Sequence, residues 1–200
     1  MASGVRVVVA TGNAGKLREF RELLAALPIA IASFAECGGV ALPDEGDDYA
    51  ANATAKALAT ARATGCLALG DDSGLEVDAL GGAPGPRSAR YGGPALDDAG
   101  RSGALLEALA GVAPERRGAR FVCVVALATP DGAVVTARGE CPGRIGAAPR
   151  GAAGFGYDPI FELAPGGPTM AELPADEKHC VSHRGRALRA LEPALRARLG

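Results

Sequence analysis

Two adjacent carboxylates, Asp71 and Asp72, follow the apolar run at residues 67–69 after one glycine and precede Ser73 and a second glycine. Neighbouring like charges repel, and neither helix formation nor core packing requires them there. At the end of a strand in an α/β protein, such a pair is typical of a site for a divalent cation and its ligand. A turn stabilised by local Asp and Ser hydrogen bonds fits the same residues, so the rest of the chain must decide.

A second candidate site is the polar turn at residues 11–16, between a predicted strand and a predicted helix. Its glycines allow a sharp turn, and the amides and dipole of a helix N-terminus favour an anion. Thr11 and Asn13 add hydrogen-bond donors, and Lys16 adds a full positive charge. The first glycine and the final hydroxyl of the Walker sequence are missing. The segment therefore predicts either a different phosphate-binding turn or an ordinary strand–turn–helix corner.

The acidic loop at residues 44–48 leads into a predicted helix that carries Asn52 and Lys56. Acidic residues before a helix complement its dipole, which is the simplest explanation of this loop. Together with Asp71 and Asp72, however, the loop could supply carboxylates from a second place. Proteins usually hold Mg²⁺ with one or two carboxylates, and water and phosphate oxygens complete the coordination.

Lysine is rare in this chain, and its positions support the same interpretation. Only three of the 21 basic side chains are lysines, namely Lys16, Lys56 and Lys178. A chain so rich in arginine keeps lysine by chance or where a compact ammonium is required. All three lysines lie beside a candidate site.

Two aromatic residues lie among glycines in the segment at residues 154–159. Phe155 could offer a flat face to a nucleobase, and Asp158 could accept a hydrogen bond from a ring N–H. Tyr157 fits better as a core residue.

Both histidines lie near the start of the last predicted helix. His179 and His183 are four residues apart, so a metal pair is conceivable, but no H-E-x-x-H pattern supports it. Donation to a ring carbonyl suits His183 and Arg184 better, and His179 is expected to be a bystander.

Hydrophobic periodicity predicts a single α/β unit whose strand-to-helix turns carry these polar residues. Strands are predicted at residues 5–10, 29–33, 66–69, 121–128 and 134–137, the last two forming a hairpin around Asp131 and Gly132. Helices are predicted from Leu17 to Leu27, from an Asp48 cap to Thr64, from residue 96 or 97 to 110, and from a Ser182 cap to Leu199.

Composition excludes several classes of protein. With 200 residues, of which 48% are hydrophobic, the chain can form a substantial core. A net charge of −2 argues against general electrostatic binding of nucleic acid. The apolar runs are too short to span a bilayer, and the N-terminus lacks a signal-peptide pattern. Five cysteines without C-x-x-C spacing predict free thiols and a cytoplasmic location.

Seven motifs in register give the chain a clear family resemblance. In order, they are Thr11-Gly12-Asn13-x-x-Lys16, Asn52-Ala53-x-x-Lys56-Ala57, Asp71-Asp72-Ser73-Gly74-Leu75, Gly81-Gly82-Ala83-Pro84-Gly85, Ser88-Ala89-Arg90-Tyr91, Gly154-Phe155-Gly156-Tyr157-Asp158-Pro159-x-Phe161 and Ser182-His183-Arg184-Gly185. Over essentially its whole length, the chain resembles the inosine/xanthosine triphosphate pyrophosphatase family, which removes non-canonical purine nucleotides.

The resemblance implies an elongated, two-lobed α/β fold with a central mixed β-sheet flanked by helices and a deep substrate cleft. It also implies one domain over residues 1–200, a homodimer, and Mg²⁺-dependent hydrolysis of ITP, dITP and XTP to the monophosphate and pyrophosphate. The nucleotide would be a small-molecule partner, with no nucleic acid and no membrane.

The site residues that the resemblance implies have three roles. Asp72 would bind metal and activate the attacking water, with Asp44 as the second metal ligand. Ser73 would contact the substrate. The residues that would bind the phosphates are Thr11, Gly12, Asn13, Ala14, Gly15, Lys16 and Lys56. Those that would surround the base are Phe155, Gly156, Tyr157, Asp158, Lys178, His183 and Arg184.

One departure from the family pattern leaves the metal ligand open. The family usually has Glu two residues before the loop glycine, where this chain has Asp44, followed by Glu45. The second ligand is therefore Asp44 directly, Glu45, or Asp44 through water. Asp71 is expected to raise the proton affinity of the acidic pair in the absence of metal.

Three other functions compete with this one. A non-catalytic nucleotide-binding module would not need the carboxylates at positions 44, 71 and 72. A related pyrophosphatase for modified pyrimidine nucleotides, of the septum-inhibitor type, fits the Ser182-His183-Arg184 segment less well. An aspartyl phosphatase would need Asp-x-Asp after the first strand, and this chain has none there.

Overall fold

The computed structural model describes residues 5–39 and 41–199. Its strands are β1 (Val5–Ala10), β2 (Ile29–Ser33), β3 (Leu67–Val77), β4 (Pro84–Gly85), β5 (Gly118–Ala128), β6 (Val134–Ile145) and β7 (Phe161–Glu162). Its α-helices are α1 (Ala14–Leu23), α2 (Tyr49–Thr64), α3 (Asp98–Ala108), α4 (Ala175–Val181) and α5 (His183–Arg196). The expected α/β class with a mixed sheet flanked by helices is confirmed.

The strands form one mixed sheet in the order β2-β1-β3-β5-β6-β7, and β4 pairs with β3. Strand β1 is parallel to both β2 and β3, whereas β4 is antiparallel to β3 and β7 is antiparallel to β6. Val7, Val8 and Val9 are fully buried, as expected for a β-branched strand covered on both faces. The predicted hairpin is present as β5 and β6, which are adjacent and joined by the turn around Asp131.

The chain divides into two compact units. Unit 1 comprises residues 1–72, 123–139 and 184–200, and unit 2 comprises residues 73–122 and 140–183. Each unit has its own apolar core. In unit 1, Val7, Phe20, Leu69, Val125 and Leu191 belong to this core.

The core of unit 2 contains Leu75, Leu105, Phe121, Ile145 and Phe161. The expectation of one domain over residues 1–200 stays a prediction.

Helix α2 packs against β3 through small residues. Ala53, Ala57 and Ala61 recur at helical spacing and are fully buried. At Gly70, a Cβ atom would overlap the carbonyl oxygen of Ala53 and lie 2.7 Å from the amide nitrogen of Ala57. Only glycine allows this separation, so the backbones of α2 and β3 are in direct contact just before the acidic pair.

Several predicted elements differ from the structure. Helix α1 covers Ala14–Leu23 rather than residues 17–27, and β6 continues to Ile145 rather than ending at residue 137. The strand predicted at residues 66–69 continues through the acidic pair to Val77, because residues beyond the pair hydrogen-bond with β4. The start of the last helix after Ser182 is confirmed, because α5 begins at His183 and Ser182 has extended backbone angles, but the preceding helix α4 was not predicted. His179 and His183 therefore lie on different helices, which contradicts the one-helix geometry that a metal pair at this spacing requires.

Among the described residues, no helix combines the length and apolar character needed to cross a bilayer. All five cysteines are free thiols.

Candidate active site

The acidic pair lies within β3 rather than in a turn, and this placement separates its two side chains. Successive side chains of a strand point to opposite faces of the sheet. Both carboxylates are buried, with 1% of Asp71 and 3% of Asp72 exposed. Each therefore needs partners on its own face, and the two sets of partners differ.

Asp71 belongs to a cluster of matched charges in unit 1. Its Oδ2 atom accepts a hydrogen bond from Nε of Arg184 at 3.0 Å and from Sγ of Cys123 at 3.1 Å. Oδ1 forms an ion pair with Lys16, and Arg184 also pairs with Glu19. Burial alone would raise the pKa of Asp71, but Arg184 and Lys16 hold that pKa well below its usual range. The expectation that Asp71 raises the proton affinity of the pair is wrong, because these cations neutralise it.

Asp72 belongs to a second cluster, also in unit 1, which joins β3 to α2 and the loop before it. Nδ2 of Asn52 donates to Oδ2 of Asp72 at 2.8 Å, and Nζ of Lys56 lies 3.5 Å from Oδ1. The same Lys56 ammonium donates to Oε1 of Glu45 at 2.6 Å. Burial raises the pKa of Asp72, and Lys56 and Asn52 offset only part of that increase.

The helix positions explain why Asn52 and Lys56 act on one carboxylate. They are four residues apart on α2, which places them on the same face. Helix α2 begins where the sequence predicts, because the Asp48 side chain accepts a hydrogen bond from the amide of Ala51 at 2.8 Å. Asn52 also exchanges hydrogen bonds with the backbone of Gly46, which fixes the acidic loop over the helix.

The acidic loop presents Glu45, rather than Asp44, to this cluster. Glu45 is half-buried against Lys56, whereas Asp44 is exposed. Within residues 5–39 and 41–199, no three His, Cys, Asp or Glu side chains are grouped as a metal site. The carboxylates of Asp72 and Glu45 are nevertheless of the kind and number with which a protein commonly binds Mg²⁺.

The turn at residues 11–16 has the local geometry of a helix start. Oγ1 of Thr11 accepts from the amide of Asn13 at 3.1 Å, and Oδ1 of Asn13 accepts from the amide of Lys16 at 2.9 Å. Asn13 thereby caps α1, whose first residue is Ala14. Gly12 is exposed, and the Lys16 side chain lies against Asp71. The predicted phosphate-binding residues are thus assembled at a helix N-terminus.

A separate cluster in unit 2 contains the predicted base-binding residues Phe155, Asp158 and Lys178. Oδ2 of Asp158 accepts from the Phe155 amide at 2.9 Å and from Nζ of Lys178 at 2.6 Å. The same ammonium lies 5.3 Å from the centre of the Phe155 ring, within the range of a cation–π contact. Asp158 and Lys178 are both buried.

The remaining predicted residues have different environments. The Tyr157 hydroxyl donates to the carbonyl of Ser88 at 2.9 Å in the core of unit 2, as expected, and burial raises its pKa. The His183 ring stacks on Phe121, with ring centres 4.8 Å apart. Ser73 is half-buried on β3. Arg184 is 0% exposed, and its guanidinium is engaged by Asp71 and Glu19 in unit 1.

Sequence reasoning did not identify Glu19 or Asp98, which the structure connects to these clusters. Glu19 lies three residues after Lys16, on the face of α1 that is buried, and this spacing was the available signal. Asp98 lies in the first turn of α3 and accepts from the amide of Gly156. No motif in the sequence relates these two segments.

Fold and site together define a mixed α/β protein with one cluster suited to phosphate and a divalent cation, and a second cluster suited to a flat polar ring. The chain belongs to the Ham1 family, whose sequence model matches residues 7–194. This confirms the family resemblance.

Similar proteins agree with this assignment over nearly the whole chain. A protein of Syntrophobacter fumaroxidans named dITP/XTP pyrophosphatase is 51% identical, over 93% of this chain and 80% of its own length. One of Thermus thermophilus with the same name is 50% identical, over 96% and 92%. The solved structure of a HAM1 protein from Coxiella burnetii matches with a TM-score of 0.83 and 41% identity, over 96% of this chain and 99% of that one.

Proposed function

We propose that this protein hydrolyses non-canonical purine nucleoside triphosphates, namely dITP, ITP and XTP, to the monophosphate and pyrophosphate. The observation that carries this proposal is the buried Asp72 carboxylate, which Asn52 holds at 2.8 Å beside Lys56 and Glu45. Relatives about half identical to this chain are named dITP/XTP pyrophosphatase, which supports the same reaction here.

The cationic groups of unit 1 bind the triphosphate. A triphosphate repels an incoming hydroxide, and positive groups placed in advance reduce this repulsion. Lys16, Lys56 and the amides at the start of α1 supply these groups. The Lys16 ammonium has three N–H donors, so its contact with Asp71 orients it and leaves donors for phosphate oxygens.

Mg²⁺ fits the carboxylates near Lys56. Asp72 and Glu45 come from different segments yet contact the same ammonium, at 3.5 and 2.6 Å, so their oxygens already lie around a positive charge. We assign these two residues, rather than Asp72 and Asp44, as the ligands. When bound, the ion would polarise phosphate oxygens and lower the pKa of a coordinated water.

Asp72 acts as the general base. Its carboxylate accepts a proton from the attacking water, and its pKa is raised by burial, which makes it a better proton acceptor near neutral pH. Asn52 donates to Oδ2 and thereby fixes the orientation of the carboxylate.

The Phe155, Asp158 and Lys178 cluster binds the base. Phe155 provides a face for stacking, and the polar groups around it read the ring edge. Hypoxanthine and xanthine present O6, an acceptor, where adenine presents a donor. A donor such as Lys178 or His183 would face the donor of adenine instead of an acceptor, which discriminates by roughly 10⁴-fold. Arg184 has its charge matched by Asp71 and Glu19, so we assign it to the structure of unit 1.

A product assay tests this function. The protein is incubated with Mg²⁺ and a panel of dITP, XTP, dATP, dGTP and modified pyrimidine triphosphates, and both pyrophosphate and orthophosphate are measured. We expect pyrophosphate release from dITP and XTP, with dATP and dGTP far slower. Binding without release would support a nucleotide-binding module instead, and preference for a modified pyrimidine would support the related pyrophosphatase.

Two further expectations accompany the proposal. A homodimer would give twice the monomer mass of 20.0 kDa in sedimentation equilibrium. A cytoplasmic location would give recovery with the cytosolic fraction after cell lysis.

A further inference from the structure

The loop that carries Phe155 is attached to helix α3 through one backbone residue, Gly156. Oδ2 of Asp98 accepts a hydrogen bond from the Gly156 amide at 2.7 Å. Oγ of Ser102 lies 3.4 Å from the Gly156 carbonyl oxygen, to which it donates. Asp98 and Ser102 are four residues apart on α3 and share a face. One helix face therefore engages both backbone polar groups of Gly156.

The backbone conformation of Gly156 sets the orientation of the residues on either side of it. Its φ is +63°, in the left-handed region that favours glycine. Phe155 precedes it, and Tyr157 follows it with its hydroxyl on the carbonyl of Ser88. A shift of the Gly156 peptide would rotate the Phe155 backbone relative to Asp158, which accepts from the Phe155 amide.

The Asp98 carboxylate is ionised, which strengthens its contact with the loop. Burial opposes ionisation, but the Gly156 amide and Arg101 outweigh it and lower the pKa of Asp98. Arg101 forms an ion pair with the other oxygen, Oδ1. A hydrogen bond to an ionised acceptor is about twice as strong as a neutral one.

We infer that Asp98 is a positioning residue for base binding, which acts through the Gly156 amide to hold Phe155 in place for stacking. It does not touch the nucleotide, and its role rests on the proposed function. The carboxylate orders the loop before substrate arrives, so the ordering entropy is not lost again on binding. Affinity for the base should therefore depend on Asp98, whereas the chemical step at Asp72 should not.

The first experiment compares two neighbouring acids at the start of α3. Asp98→Ala removes the contact with Gly156. Asp97→Ala is the matched control, since it removes the helix cap to the Gly100 amide, at 2.8 Å, without touching the loop. We expect Asp98→Ala to raise KM for dITP about tenfold with kcat within about twofold. Asp97→Ala should leave both constants within about twofold of the unchanged protein, and Asp98→Asn, which keeps an acceptor oxygen, should restore most of the affinity.

The second experiment measures how well ordered the Phe155 loop is, independently of catalysis. The chain contains no tryptophan, so Phe155→Trp introduces a single tryptophan at the stacking position, whose fluorescence can be excited apart from that of the tyrosines. In the absence of nucleotide, acrylamide should quench this tryptophan more strongly when Asp98→Ala is added and to an unchanged degree when Asp97→Ala is added. If Asp98→Ala does not fold, Asp98→Ser, which is too short to reach Gly156, replaces it in both experiments.

The outcomes separate this inference from the proposed function. If the unchanged protein hydrolyses none of the panel, the function fails, and the quenching experiment still decides whether Asp98 orders the loop. Unchanged KM and unchanged quenching in a folded Asp98→Ala protein would overturn the inference alone. Equal effects of Asp97→Ala and Asp98→Ala would also overturn it, because helix stability would then explain the result.

Discussion

Two charged clusters of unit 1 start from neighbouring residues of β3 and differ in how their charges are matched. Around Asp71, the described ion pairs join two carboxylates, Asp71 and Glu19, to two cations, Lys16 and Arg184. Around Asp72, they join two carboxylates, Asp72 and Glu45, to the single cation Lys56.

This difference indicates which of the two clusters suits a structural role and which suits the proposed reaction. A buried group of matched charges is costly to disturb, because removing one member leaves another charge buried without a partner. Around Asp72, two carboxylates from different segments contact the same ammonium, which is the arrangement that we propose for a bound metal ion. The strand alternation thus gives two identical side chains, one residue apart, different surroundings, and we propose a structural role for Asp71 and a catalytic role for Asp72.

The comparison is tested most strongly at Asp72. Asp72→Asn keeps the shape of the side chain but removes the proton acceptor, so we expect kcat for dITP to fall by about 10²–10⁴-fold. The free energy of unfolding should change little, and urea denaturation followed by circular dichroism checks this. Turnover close to that of the unchanged protein would exclude Asp72 as the base.

The Asp71 cluster is tested by removing one of its two cations. Arg184→Met removes a cation that is paired with both buried carboxylates, Asp71 and Glu19, so we expect the free energy of unfolding to fall by about 3–5 kcal/mol. The control is Arg196→Met on the same helix. Its side chain is 56% exposed and pairs with Glu192, so the expected loss is under about 1 kcal/mol. A similar small loss at Arg184 would show that the buried pairs contribute no net stability.

The role of the Asp72 cluster is tested further by determining which acid beside it binds the metal. Glu45→Gln removes a negative charge beside Lys56, whereas Asp44→Asn removes one from an exposed neighbour. We expect the Mg²⁺ concentration for half-maximal activity to rise about tenfold for Glu45→Gln, which corresponds to about 1.4 kcal/mol. For Asp44→Asn it should change by less than about twofold. The opposite ranking would restore Asp44 as the ligand, as the family pattern implies.

Regular elements were predictable from the sequence where local signals were strong. The strand at residues 5–10 follows from its β-branched residues, and the start of α2 follows from the Asp48 cap. Helix α4 also had a signal that was overlooked. Pro174 precedes it, and Asp176 and Glu177 lie in its first turn, where they complement the helix dipole.

The division of tasks between Asp71 and Asp72 was not predictable in the same way. Asp and Gly are poor strand formers, so the continuation of β3 depends on pairing with the short β4 nearby and with β5, which is distant in the sequence. Without this pairing, nothing in the local sequence indicates that the two side chains point to opposite faces. The choice between Asp44 and Glu45 depends on the loop backbone, which Asn52 holds through Gly46, and no periodicity reveals it.

Gly70 has a consequence that extends beyond packing. It lies outside every group assigned to the nucleotide, yet it sets the spacing between the helix that carries Asn52 and Lys56 and the strand that carries Asp72. Even alanine, the next larger residue, would overlap the backbone of α2, so this spacing has no intermediate value. Gly70 has no functional group of its own, yet it limits which side chains of α2 can reach the Asp72 carboxylate.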